Sequence, residues 1–270
     1  MDIISAILFL LLGLVIGSFL NVCIDRLPFK ESTVSPPYHC QSCNKRLAVK
    51  DMIPVISYLS FKGRCRYCQI KIPLRVLIVE LISGIGFLLL YMYYGFSIEL
   101  ALVLFYFCIF LIIFFIDIEH HLILDKVVYP SAATALIISI FLPYLDFAPS
   151  IVINEHFMNI GWASGIVSSL IGGLAGLVIF IIIALISRGG MGQGDIKMVG
   201  LIGFIVGYPL IFVPLFIAIV IGGVVALLMI IARIKSRKQS IAFGPFLSIG
   251  AMSAILWGNE ILNWYLNLIL

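Results

Sequence analysis

The stretch "GGMGQGDIKMVG", Gly189–Gly200, decides how this chain folds. Its first half is dense in glycine and ends on an acid, Asp195. Its second half opens an apolar run that ends at Gly207, Tyr208 and Pro209. Read as one solvated loop, the stretch accounts for the glycines but leaves residues 196–208 as apolar chain in water. Read as a turn followed by a short span, it puts an acid where an apolar segment begins. The rest of the chain chooses between these.

Of 270 residues, 63% are hydrophobic and 11% charged, against about 25% charged in a soluble domain. The composition excludes an ordinary soluble domain and predicts an all-α polytopic membrane protein. Apolar runs near the ~17–25 residues needed to span a bilayer recur around 3–24, 76–95, 98–116, 127–145, 163–187, 196–208, 209–232 and 241–258. The sixth is short. If it counts, all 17 Lys and Arg fall on one side of the membrane: within 25–75, at 126, at 188 and 197, and within 233–238. Basic residues mark the cytoplasmic face, so the sorting favours eight spans with both termini outside. The net charge of +4 then marks the inner face and calls for no nucleic acid. The N-terminal run lacks a basic n-region and an A-x-A cleavage site, which predicts a retained helix.

One long polar segment, 25–75, interrupts the apolar pattern and holds four of the six cysteines, Cys40, Cys43, Cys65 and Cys68. A segment this small needs a staple to fold. Two C-x-x-C pairs supply the four thiolates of a tetrahedral zinc site. Two disulfides are the alternative, disfavoured on the cytoplasmic side. Cys23 and Cys108 lie in apolar spans and are expected to pack. The division expected is a first helix over 1–24, a cytoplasmic zinc-binding subdomain over 25–75, and a transmembrane domain over 76–270 with its core at 98–210.

Acids outside that segment are few, and they cluster. Asp117, Glu119 and Asp125 lie in "FFIDIEHHLILDKVVYP", where the third span gives way to the fourth. The topology brings Asp117 and Asp195 to the same inner boundary, where an ionisable group is costly and points to function. Two carboxylates that approach share a proton, so one can activate water while the other protonates a scissile carbonyl. Gly192 and Gly194, flanking Gln193, allow positive φ and close approach of a helix or peptide. The helix N–H groups that follow can help bind a carbonyl. With Lys197 they form the candidate active-site loop. A tight turn with Asp195 as N-cap is the plainer alternative. Glu119 and Asp125 are read as helix-end acids meeting water, or as attractors of a basic segment. His120 and His121 are read as solvated, because adjacent residues on a helix diverge. Glycines 172, 173, 176, 222 and 223 are expected at close helix crossings. A transporter relaying protons through Asp117 and Asp195 would place its acids nearer the midplane, with repeats. A scaffold using the cysteine loop as a docking surface would need neither acid.

These motifs in this order resemble the bacterial type IV prepilin peptidases, GxGD-type intramembrane aspartic proteases that also act as N-methyltransferases. "GLVIGSFLNVCIDRLP" resembles the family's opening motif. "CQSC" and "CRYC", with "IPVISYL" and "KGRC" between them, match its cysteine knuckles. "FIDIEHHLILD" and "GMGQGDIKMVGLIG" resemble the segments carrying its two catalytic aspartates, and "IAFGPFLSIGA" the opening of its last span. The resemblance implies that Asp117 and Asp195 are the catalytic pair, and that Cys40, Cys43, Cys65 and Cys68 hold Zn2+. The implied substrate is a type IV prepilin or pseudopilin precursor, whose short basic leader is cut at the cytoplasmic membrane. The new terminus would be methylated from S-adenosylmethionine. Three positions depart from the family pattern. Leu124 and Ala242 replace prolines, and "RVLIVE" keeps Arg75 and Glu80 but lacks the Tyr-Pro pair between them.

Overall fold

The computed structural model describes residues 3–34, 39, 42–43, 45–46, 53–141, 163–187, 191–233 and 241–269. Cys40, Arg188, the basic run 234–238 and the outer segment 146–160 lie outside the described residues. Among the described residues nine helices follow one another: α1 (Ile3–Arg26), α2 (Ile56–Ser60), α3 (Leu74–Tyr94), α4 (Ile98–His120), α5 (Asp125–Phe141), α6 (Ala163–Ile186), α7 (Gln193–Val206), α8 (Phe212–Ile231) and α9 (Gly244–Ile269). Among the described residues the only extended pairing is two isolated bridges, so the all-helical expectation holds.

Among the described residues five helices, α1, α3, α4, α6 and α8, are long and apolar enough to cross a membrane. That fits a multi-pass membrane protein, but it falls short of the eight spans read from the sequence. For α5 and α7 the reason is length. Helix α7 has 14 residues, and at about 1.5 Å per residue it reaches only about 21 Å of a ~30 Å hydrocarbon layer. Helix α5 has 17 residues and begins with Asp125 and Lys126. The final run, expected to end near 258, continues as helix past a kink at Trp257 (φ −134°, ψ 17°).

The chain forms two compact units, Met1–Ile112 and Ile113–Leu270. In the first, α1 packs along α3. Small residues make this possible: a Cβ on Gly13 would lie 2.6 Å from the Ser83 carbonyl oxygen, and one on Gly17 2.8 Å from Glu80 Cα. Asn21 Nδ2 donates to the Val76 carbonyl at 3.0 Å, a polar tie between the same helices. Cys23 is buried, as expected of a packing residue.

In the second unit α7 is the central element, touching α5, α6 and α9, while α8 packs on α9. Met198, Val199, Leu201 and Ile202 of α7 are at most 1% exposed. Such a short helix is held by its neighbours rather than by its own propensity. The α6–α7 contact is backbone on backbone: Cβ atoms on Gly172 and Gly203 would each lie within 2.7 Å of the facing chain. Gly173 and Gly176 receive the Phe204 ring and Val199. The expected close crossing is therefore present on α6. On α8 it is half right: Gly222 abuts Phe243 and Phe246, whereas Gly223 faces open space.

Candidate active site

Asp117 lies in the last turn of α4, 5% exposed. Its carbonyl accepts the His121 N–H at 3.0 Å, and His121 ends the helix with a positive φ of 52°. Its carboxylate turns to another element: Oδ2 accepts the backbone N–H of Gly244, the first residue of α9, at 2.8 Å. Asp195 lies in the first turn of α7. Gly192 is the N-cap, so Asp195 occupies the third helical position. Its carboxylate reaches back to the Gly192 N–H, one half of a capping box. The plainer sequence alternative is corrected accordingly: Asp195 caps the helix from inside, not as the N-cap residue. The two carboxylates lie close enough for the charge of Asp117 to act on Asp195.

The glycines act differently from expectation. Gly192 is extended, with φ −69° and ψ 140°, and neither it nor Gly194 has positive φ. Close approach is the property used. A Cβ on Gly194 would lie 2.8 Å from Ile123 Cβ, in the connection between α4 and α5, and one on Gly192 would lie 3.2 Å from Asp195 Oδ2. Gly192 and Gln193 are exposed at the start of α7.

Lys197 donates from Nζ to Asp125 Oδ1 at 2.7 Å and sits 5.6 Å from the Tyr129 ring centroid. Asp125 is thus more than a solvated helix-end acid, because it ties the start of α5 to the first turn of α7. Leu124, where the family pattern has proline, offers its carbonyl to the N–H groups of Val127 and Val128, closing the start of α5. His121 is exposed, and His120 is half-buried, 4.0 Å from Glu119. Gly244 is a residue at this site that sequence reading did not single out. The Gly-Pro pair in "AFGPF" was its signal, since proline favours the first turn of a helix.

In the first unit the Sγ atoms of Cys43, Cys65 and Cys68 lie within 4.8 Å of one another. Tetrahedral thiolates at about 2.3 Å from zinc stand about 3.8 Å apart, so the cluster is near that spacing and fits a metal site. An antiparallel bridge between Arg64 and Lys71 closes the second knuckle, and another pairs His39 with Arg46. In the second turn Cys65 donates its N–H to Ile70 and accepts that of Gln69. The residues kept in "RVLIVE" have structural partners: Arg75 pairs with Asp25 of α1, and the buried Glu80 accepts the Val55 N–H at 2.7 Å.

The model of the bacterial peptidase A24 N-terminal domain matches residues 11–94, and that of the type IV leader peptidase family matches residues 102–227. The chain belongs to the type IV leader peptidase family. The resemblance read from its motifs is thereby borne out. Along nearly its whole length it is similar to the prepilin leader peptidase/N-methyltransferase of Bacillus subtilis (strain 168), at 29% identity over 96% of both chains. Those of Aeromonas hydrophila and Pseudomonas aeruginosa are 28% and 27% identical, each over 95% of this chain and 92% of the relative. No solved structure matches the chain.

Proposed function

We propose that this leader peptidase is an intramembrane aspartic endopeptidase that removes the short basic leader from type IV prepilins and pilin-like precursors, with Asp117 and Asp195 as its catalytic pair. The observation that carries the reading is that α4 and α7 bring Asp117 and Asp195 near enough for the charge of one to act on the other, with the Asp117 carboxylate held by the Gly244 N–H. The ionised member takes a proton from water as the water oxygen attacks the scissile carbonyl carbon. The protonated member gives its proton to the carbonyl oxygen. Collapse of the tetrahedral intermediate breaks the C–N bond, and a carboxyl proton passes to the leaving amine. Gly192, Gly194 and Lys197 form the loop that aims Asp195. Exposed N–H groups at the start of α7 are suited to holding a substrate carbonyl.

Cys40, Cys43, Cys65 and Cys68 would hold Zn2+ as a structural cross-link in the 25–75 subdomain, which precedes the membrane domain 76–270. The names of the relatives support a second activity, N-methylation of the new terminus with S-adenosylmethionine as donor. No residues are assigned to that donor. The sorting of Lys and Arg supports eight spans in the cytoplasmic membrane, termini outside, with the zinc loop and both acids at the cytoplasmic side.

The test is intact N-terminal mass spectrometry of a co-expressed prepilin, comparing wild type with Asp117→Ala and Asp195→Ala at matched membrane levels. Loss of leader removal in both variants is expected. Continued cleavage by either would make that aspartate structural and return the proton-relaying transporter and the scaffold to consideration. The same spectrum reads the methyl group.

A further inference from the structure

We propose that Gly244 is a positioning residue for the aspartate pair: its backbone N–H, with no side chain beside it, fixes the carboxylate of Asp117. The inference rests on the reading of Asp117 and Asp195 as the working acids.

The first support is a donor count at the start of α9. A helix leaves the N–H groups of its first turn without intrahelical partners. Here Phe246 and Leu247 both donate to the Phe243 carbonyl, at 3.1 and 3.2 Å. Pro245 has no N–H to give. The Gly244 N–H is the one left over, and it goes to Asp117 Oδ2 across 127 residues of sequence. Proline at 245 contributes no N–H, so at this end of the helix the Gly244 N–H is the donor that orients the carboxylate.

The second support is steric. A Cβ at position 244 would lie 2.7 Å from Asp117 Oδ2, 3.1 Å from Cγ and 3.2 Å from Cβ. All three are inside the 3.4 Å at which ordinary van der Waals contact begins. Something would have to move, and the start of α9 is poorly placed to do so. Phe243 and Phe246 press on Gly222 of α8, at 3.3 and 3.2 Å from its Cβ position. The Phe243 ring also lies 6.2 Å from that of Phe180 on α6. With α9 packed on α7 and α8 and Phe243 set beside Phe180, the yielding group is the Asp117 side chain. Only glycine at 244 supplies the N–H without displacing the acid it holds.

Purified Gly244→Ala in detergent, acting on a purified type IV prepilin, tests this. The expected result is a ~10- to 100-fold loss in kcat, the scale of a misplaced reacting group, with KM within about twofold. Gly223→Ala, whose added methyl meets nothing within 4 Å, serves as the control and keeps wild-type rates. Wild-type kcat for Gly244→Ala, or a loss carried by KM alone, overturns the proposal. A stability cycle covers the case of a poorly folding variant. Gly244→Ala should lower the thermal midpoint less in an Asp117→Ala background, where the carboxylate it strikes is gone. An equal drop in both backgrounds also overturns the proposal. Failure of the underlying reading is distinguishable, because it would appear as cleavage by Asp117→Ala or Asp195→Ala themselves.

Discussion

Gly203→Ala is the sharpest test of how the short helix α7 is held. A Cβ at 203 would sit 2.4 Å from the Gly172 carbonyl oxygen, 2.6 Å from its carbon and 2.7 Å from Gly173 Cα. Every one of these neighbours belongs to a facing helix backbone, so no side-chain rotation relieves the overlap. Reaching 3.4 Å requires α6 and α7 to separate by about 1 Å. Overpacking of this kind costs about 1–3 kcal/mol. The better helix propensity of alanine returns at most about 1 kcal/mol. The thermal midpoint should therefore fall. Activity should fall further, because α7 carries Asp195 at its other end, and a shift near 1 Å in a reacting group can cost about 100-fold. The assay is the initial rate of leader removal by purified protein, beside a thermal melt and the Gly223→Ala control. Wild-type rate with an unchanged midpoint would refute the claim that backbone contact between α6 and α7 sets the position of Asp195.

Cys65→Ser should strip the metal expected in the cysteine loop; about one zinc per wild-type chain and substantially less in the variant, by elemental analysis, is the outcome sought. Glu80→Ala leaves the half-buried Val55 N–H without its acceptor, a loss of about 1 kcal/mol. Faster limited proteolysis around α2 should report it, and an unchanged cleavage pattern would count against this role for Glu80. Lys197→Met breaks an exposed ion pair, a class that contributes little to stability, so its melt should match wild type. A loss of cleavage as complete as in Asp195→Ala would show that Lys197 does more than tether α7 to Asp125.

Much of this protein is written locally. The scarcity of charge and the recurrence of apolar runs determine a helical membrane protein, because a chain in lipid must satisfy its backbone internally. The C-x-x-C spacing determines candidate metal ligands, since a tight turn presents both thiols to one point. Asp117 and Asp195 stood out from sequence because an acid beside an apolar run is costly.

Other features needed the tertiary structure. The number of helices long enough to span is one, since residues 196–208 read as apolar chain whether or not their helix reaches across. The glycines of "GMGQGD" are another. Sequence allowed unusual φ or close approach, and only the packing of Gly194 against Ile123 chose between them. Lys197 with Asp125, and Gly244 with Asp117, are partnerships across 72 and 127 residues. No periodicity within a helix encodes such pairs, because they exist only once separate helices have packed. Sequence could thus name the acids from the cost of placing charge beside lipid. What orients them comes from backbone N–H groups, which every residue but proline carries, so only the fold could say which ones point at Asp117 and Asp195.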